Sequence, residues 1–279
     1  MDGLSPASLH LWRGEAVASE SGGDLPETLL ASQLVAAETM RPPGNRPADA
    51  EPFTAQWFLR LEERRYARHG AWLPRLMEFD KHPGEQLLAF GDGLGTDWAR
   101  YARHGTHVTV CGSSSAQLAA VRRNFEFRGL DATFANATAD RWPVEPSSMD
   151  VVHLAGPNLG SFDSQSLVEE IYRVLKPGGK LIALLLSRRD ARYWQSVFMP
   201  WKREFAEQPA GERWTNSSVR RAFSRFSEHR VYQRHLRRSE LPHLWRWMPL
   251  PVMERVMGRF LVLKTFKPIS AAMSVTCAA

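Results

Sequence analysis

The sequence predicts an α/β fold, a mostly parallel sheet wrapped by helices on both faces. Three observations carry this expectation. From residue 85 onward, short apolar or β-branched runs alternate with helical stretches. Glycines close those stretches where helices end. The run "KLIALLLS" is apolar throughout, as a strand covered on both sides would be.

Taken in order, residues 1–51 hold the Gly/Pro/polar runs "SESGGD" and "RPPGNRPADAEP" and read as a flexible N-terminal arm. Within it, residues 25–40 have the pattern of a short amphipathic helix. One domain is expected over 52–268. Its first part, 52–84, is a helical cap in which Phe53, Trp57, Leu61 and Tyr66 recur at helical intervals. The half from 85 to 187 opens with the strand "EQLLAF", a glycine loop, the helix "TDWARYARHG" and the strand "THVTVC". It continues with the helix "SAQLAAVRRNFEFRG", the strands "ATFANA" and "MDVVHLAG", the helix "SLVEEIYRVLKPGG" and "KLIALLLS". The hexapeptide "RYARHG" ends two helical stretches, at 65–70 and 100–105, as paired basic caps rather than as a duplication. In the remaining half, 188–268, "SSVRRAFSRF" reads as a helix, and "EHRVYQRHL" and "GRFLVLKTFKP" read as strands. Residues 269–279 read as a loose tail.

The composition of the 279 residues suits a soluble protein, with 43% hydrophobic and 24% charged residues and a mean hydropathy of −0.35. A net charge of +6 permits anionic partners without requiring them. Two cysteines, Cys111 in an apolar strand and Cys277 near the end, argue against a disulfide framework. No run approaches the roughly eighteen apolar residues of a membrane span, and no leader pattern opens the chain. The expected compartment is the cytoplasm. Oligomeric state is not legible, and no metal-ligand spacing is present.

The candidate site is the loop Gly91-Asp92-Gly93-Leu94-Gly95, between a strand and a helix. Glycines there let the chain turn sharply and let a ligand approach the backbone without interference from Cβ atoms. The next helix is expected to start near Thr96-Asp97, a suitable capping pair. Open α/β sheets bind ligands at the carboxyl ends of their strands, which is where this loop falls.

Together, "LLAFGDGLGTDWARYARHGTHVTV", "RRNFEFRGLDATF", "DVVHLAG" and "EEIYRVLKPGGKLIALLL" resemble class I S-adenosylmethionine-dependent methyltransferases. The resemblance extends over roughly 52–268. It implies a three-layer sandwich around a Rossmann-like sheet of seven strands, mostly parallel, with an antiparallel strand near the C-terminus. It implies S-adenosyl-L-methionine as cofactor and methyl transfer to a small or lipid-like acceptor. Gly91, Asp92, Gly93 and Gly95 would run beside the methionine end of that cofactor. Gly112 and Ser113, within a segment spanning 111–114, would face the ribose. Thr138 and Ala139 would face the adenine, and Ala155 would border the transferable methyl.

The sequence departs from the family where the family carries acids. Ala89 stands near the end of the first strand, Gly112 at the end of the second, and Thr138 before the adenine-facing alanine. Pro157-Asn158-Leu159 replaces the histidines that often follow the fourth strand. The change at Gly112 matters most, because a ribose-gripping carboxylate makes hydrogen bonds worth roughly 1.5–3 kcal/mol each. Serines 113 to 115 could restore part of this through neutral hydrogen bonds, and Asp92 could pair with a cationic part of the cofactor or repel its carboxylate.

Methyl transfer from a sulfonium relies mainly on positioning. The candidates to assist are His153, as a general base, and Asn158, as an amide that orients the acceptor. The competing reading of His153 is a buried-strand histidine bonded to a neighbour, and that of Asn158 a turn residue. Trp57 and Tyr66 read as core packing before they read as a cap on the cleft. The 188–259 segment carries about sixteen Arg/Lys against about seven acids, interleaved with tryptophans. These basic residues are scattered, so nucleic acid is not the expected partner. The stretch "HLWRWMPLPVMERVMGRF" could instead make peripheral contact with a membrane, although Pro249 and Pro251 interrupt a long helix. The rival to an enzyme is a catalytically silent paralogue that keeps the scaffold as a binding or regulatory module.

Overall fold

The computed structural model describes residues 51–67, 70–112, 114–137, 141–155, 164–198, 213–241 and 245–269. The arm read over 1–51 lies outside them but for its last residue, and the tail read over 269–279 but for its first. Helices α1 (Ala55–Tyr66) and α2 (Leu73–Met77) lead into strand β1 (Gln86–Gly91). There follow α3 (Thr96–Arg103), β2 (His107–Gly112), α4 (Ser115–Phe127), β3 (Thr133–Asn136) and β4 (Met149–Ala155). Next come α5 (Ser164–Val174), β5 (Leu175–Leu186), α6 (Ala191–Phe198) and α7 (Asn216–Ala222). Strand β6 (Ser227–Arg234), α8 (Leu250–Met257) and β7 (Phe260–Phe266) complete the order.

The seven strands form one sheet in the order β3-β2-β1-β4-β5-β7-β6. Strands β1 to β5 pair in parallel, whereas β7 runs antiparallel to both β5 and β6. This is the mixed sheet that the resemblance implied. Successive side chains fall on opposite faces. Leu88, Phe90, Val152, Leu154, Leu181 and Ala183 pack against α5 and the α7 segment. Their alternates, including Leu87, Ala89, Val151, Ile182 and Leu184, pack against α2, α3 and α4. Every central strand is therefore covered twice, which explains why β5 reads as apolar without alternation.

Two element boundaries differ from the sequence reading. The "LKPGG" run joins β5 instead of closing α5, with Gly178 at φ 81° and a register shift between Met149 and Val151. Gly95, in the left-handed region at φ 72°, is the N-cap of α3, so Thr96 and Asp97 are inside the first turn.

The chain runs outward from β1 to β3 and then returns to place β4 on the other side of β1. That reversal creates a crevice outside the carboxyl ends of β1 and β4, the usual ligand position in open α/β sheets. It sets the ends Gly91 and Ala155 side by side, with Gly112 closing the neighbouring strand.

Candidate functional site

The glycine loop is built around one close approach. Asp92 N–H donates to the Ala155 carbonyl over 2.9 Å. A Cβ on Gly91, whose φ is 137°, would fall 1.7 Å from that same oxygen. Gly93 also has a positive φ, of 112°. At Gly95 a Cβ would meet Val121 at 2.7 Å, so the turn into α3 is also closed to larger residues. Gly91, Asp92, Gly93, Gly95 and Ala155 are thus brought together at one edge.

Amides from α4 hold the loop's carbonyl groups. Gln117 Nε2 donates to Gly91 O at 2.7 Å and to Gly93 O at 3.2 Å. Asn124 Nδ2 donates to Leu94 O at 2.6 Å, and its own Oδ1 accepts from Arg128 Nε at 2.6 Å. Both amides are buried, so each bond replaces one that water would otherwise supply. Sequence reading missed Gln117, although a signal for it existed. Ser114-x-x-Gln117 has the spacing of a capping box, and Ser114 Oγ does accept from Gln117 N. The glutamine side chain does not return to the cap; it crosses to the loop.

At the end of β2, no acid faces the crevice. A Cβ on Gly112 would come within 3.1 Å of Leu118 and 3.3 Å of Gln117 Oε1. The carboxamide therefore stands beside the position where the family's acid would project. Because Nε2 serves two carbonyls, Oε1 is the atom left nearest that position. Cys111 does not face the ribose position, because its side chain lies in the core on the α5 side, where burial pushes the thiol up to about 12. Ser113, Thr138, Ala139 and Asn158, all candidate site residues, lie outside the described residues.

His153 requires correction. It lies two residues before the end of β4 and is fully buried, its side chain facing α3 and not the crevice. Trp98 Nε1, which can only donate, gives its proton to His153 Nδ1 at 3.0 Å. Burial holds the ring down to about 4, against the raising influence of Asp97 and with the lowering influence of Arg65. A neutral ring enclosed by Trp98 and Tyr101 cannot take a proton from a ligand in the crevice.

The other flank of the loop is ionic. Asp97, in the first turn of α3, accepts from Arg65 Nε at 2.7 Å, and from Tyr66 Oη at 2.6 Å. Arg65 Nη2 also bonds its second oxygen. Burial pushes the Asp97 carboxyl up, but the Arg65 charge and hydrogen bonds outweigh this and hold it below the usual range. Phe53, Trp57, Phe58 and Leu61 then pack over Leu94, so α1 covers the loop. Trp57 is fully buried and Tyr66 is bound to Asp97, which places both in packing. The two "RYARHG" copies meet here, with Arg100 stacked 3.8 Å from the Tyr66 ring centre.

Among the described residues no cluster has the makings of a metal site. What remains is a glycine cradle at a strand-order reversal, lined by neutral amides. A family profile described as "Methyltransferase domain" matches residues 87–179, the β1-to-β5 unit that forms this cradle. Residues 87–179 thus resemble a methyltransferase domain. This domain is 35% identical over 116 residues to a demethylmenaquinone methyltransferase of Thermus thermophilus, covering 40% of this chain and 53% of that one. It is 28% identical over 141 residues to a ubiquinone/menaquinone biosynthesis C-methyltransferase of Rhizobium leguminosarum, covering 48% and 55%. The chain spans about half the length of the curated relatives it matches.

Among solved structures, a geranyl diphosphate C-methyltransferase of Streptomyces coelicolor superposes with a TM-score of 0.52 at 17% identity, covering 80% of this chain and 84% of its own. A protein of Pyrococcus horikoshii gives 0.53 at 17%, covering 74% and 92%. These likenesses show the fold alone, a mostly parallel seven-stranded sheet flanked by helices.

Proposed function

We propose that this chain is an S-adenosylmethionine-dependent methyltransferase acting on a small, lipid-like acceptor. The observation that carries the reading is the cradle itself. Three glycines with positive φ lie between β1 and α3, at the crevice where β1 and β4 part from their neighbours. Cβ atoms at 91 and 95 would strike Ala155 and Val121, so the glycines let the loop turn tightly beside that crevice. The relatives named for quinone methylation favour an acceptor with an apolar body.

When bound, S-adenosylmethionine supplies an electrophilic methyl for in-line displacement. The chain's own share is to orient and to exclude water. Gln117 and Asn124 fix the loop, α1 covers it, and Gln117 Oε1 offers a neutral acceptor near the ribose position. With His153 buried and neutral, the reading requires an acceptor that is nucleophilic without a histidine base.

One observation favours a second reading, a silent scaffold. No acid stands at Gly112, and the carbonyls of Gly91 and Gly93 are already bonded by the chain itself. Calorimetry separates the two. The first expects heat from both S-adenosylmethionine and S-adenosylhomocysteine, with Gly112→Asp tightening binding about tenfold or more. No heat from the unaltered chain at millimolar ligand, with binding created by Gly112→Asp, would establish the second and remove the first.

A further inference from the structure

Helix α8 is apolar on two sides. Met253 and Met257 point inward and are buried with Leu236 and Leu241, whereas Val252 and Val256 remain 49% and 47% exposed. Glu254 and Arg255 stand between these valines, so the outward side is a mixed one whose apolar residues are left uncovered. Helix α6 lies against it, with Trp194 Nε1 donating to Val256 O. Trp194 stacks on Phe198, and Phe198 meets Trp245 edge-on at 4.8 Å. The result is an outward face joining Val256, Trp194, Phe198 and Trp245, with Phe198 45% exposed; Trp247, two residues along from Trp245, is 80% exposed. Isolated exposed hydrophobic residues need no explanation, but a joined surface of this kind marks an interaction site.

We propose that this face docks on an anionic lipid bilayer. The charges around it decide the occupant. Arg188, Arg189, Arg192 and Arg255 are exposed around it. Of the nearby acids, Asp190 is buried and paired with Arg213 at 2.9 Å and Glu240 accepts from Arg237 N, while half-buried Glu254 on α8 offsets only one of the four arginines. A second copy of the chain would set arginine against arginine across a two-fold axis. Single-stranded nucleic acid would match the arginines and tryptophans, but the Val252–Val256 ridge offers bases nothing to stack on. Acyl chains match the valines, interfacial head groups match the tryptophans, and anionic lipid matches the arginines.

The face also occupies a telling place. Helix α6 follows the end of β5, and α8 leads into the start of β7, where Phe260 pairs with Leu186. That is the sheet edge at which Gly91 and Ala155 end their strands. A bilayer held there lies on the side from which an apolar acceptor would reach the crevice. The docking itself does not depend on methyl transfer.

Flotation of the full chain with phosphatidylglycerol vesicles, against phosphatidylcholine vesicles, tests the proposal. The chain is expected to float with the anionic vesicles. The combined variant Trp247→Ser, Val252→Ser, Val256→Ser is expected to lose flotation while keeping its circular dichroism spectrum. Arg192→Gln and Arg255→Gln are each expected to weaken binding about fivefold. Absence of flotation, or equal flotation of all variants, overturns the proposal. So does a lipid-free dimer broken by the triple variant, or retention on single-stranded RNA that the valine substitutions leave intact.

Discussion

Where the glycine loop meets the N-terminal helices its fastening is ionic, and where it meets α4 it is neutral. On the first side Asp97 is buried with Arg65, and Glu62 reaches Arg103 at 3.0 Å and Arg128 at 2.5 Å. On the second, Gln117 and Asn124 hold three carbonyls without a charge. The positions that the family fills with ligand-facing acids hold Ala89, Gly112 and Thr138. The buried acid of this region, Asp97, stands where the fold itself supplies a cation. A buried carboxylate needs a permanent counter-charge, and a ligand that comes and goes does not provide one.

The contrast can be broken first at Asp97. Asp97→Ala removes the carboxylate that buried Arg65 bonds and is expected to lower stability by about 3–5 kcal/mol, measured by urea denaturation. Arg65→Met with Asp97→Leu, replacing the pair by apolar residues, is expected to recover most of that loss. If the single variant costs no more than a surface change, the ionic side is not what holds α1 over the loop.

Acid titration tests a second ionic contact of the N-terminal helices, made by Glu78 at the sheet edge away from the loop. Burial raises the Glu78 carboxyl, but Lys180 and Lys264, the latter at 2.8 Å, outweigh it and hold the group down to about 2 from an ordinary 4.5. A depressed carboxyl contributes its full stability above the unfolded value and loses it as pH falls through the folded one. The chain should therefore lose about 2–3 kcal/mol between pH 4.5 and 2, and Glu78→Gln should flatten that decline. Parallel curves for the two proteins would show that the lysines do not stabilise the carboxylate.

The neutral side should respond more weakly. Gln117→Ala removes the donor to Gly91 and Gly93 and is expected to cost about 1–3 kcal/mol by thermal or chemical denaturation. It should also loosen the loop, seen as faster amide exchange at residues 92–95 with exchange in β6 unchanged. Uniform acceleration across the sheet would assign Gln117 to general packing.

Much of the fold was legible because its signals are local. Val108, Val110, Leu181 and Ile182 show strand propensity within a few residues, and the glycine punctuation marks the helix ends. Pro249 and Pro251 were read as interrupting a long helix, and α8 is indeed short: it begins directly after Pro249 and holds Pro251 in its first turn, where proline is tolerated. The "KPGG" run misled because its glycines fit a helix stop as well as the irregular start of β5. The site was legible in its backbone and not in its side chains. Gly91, Gly93 and Gly95 identify themselves by spacing. Gln117 lies more than twenty residues along, and only the packing of α4 onto the loop shows where its amide points. His153 failed for a similar reason: a strand residue's distance from the edge is decided by register, and here the edge lies at Ala155.

The contact between Gly91 and Ala155 has one more implication. Any larger residue at 91 would wedge the two central strands apart, whether or not a nucleoside ever entered. Selection for a closed sheet alone is enough to preserve that glycine. A glycine at 91 is thus required by the closed sheet, whereas the residue at 112 bears on how a ligand would be held. Positions 91 and 112 therefore answer separate questions, one about the scaffold and one about its occupant.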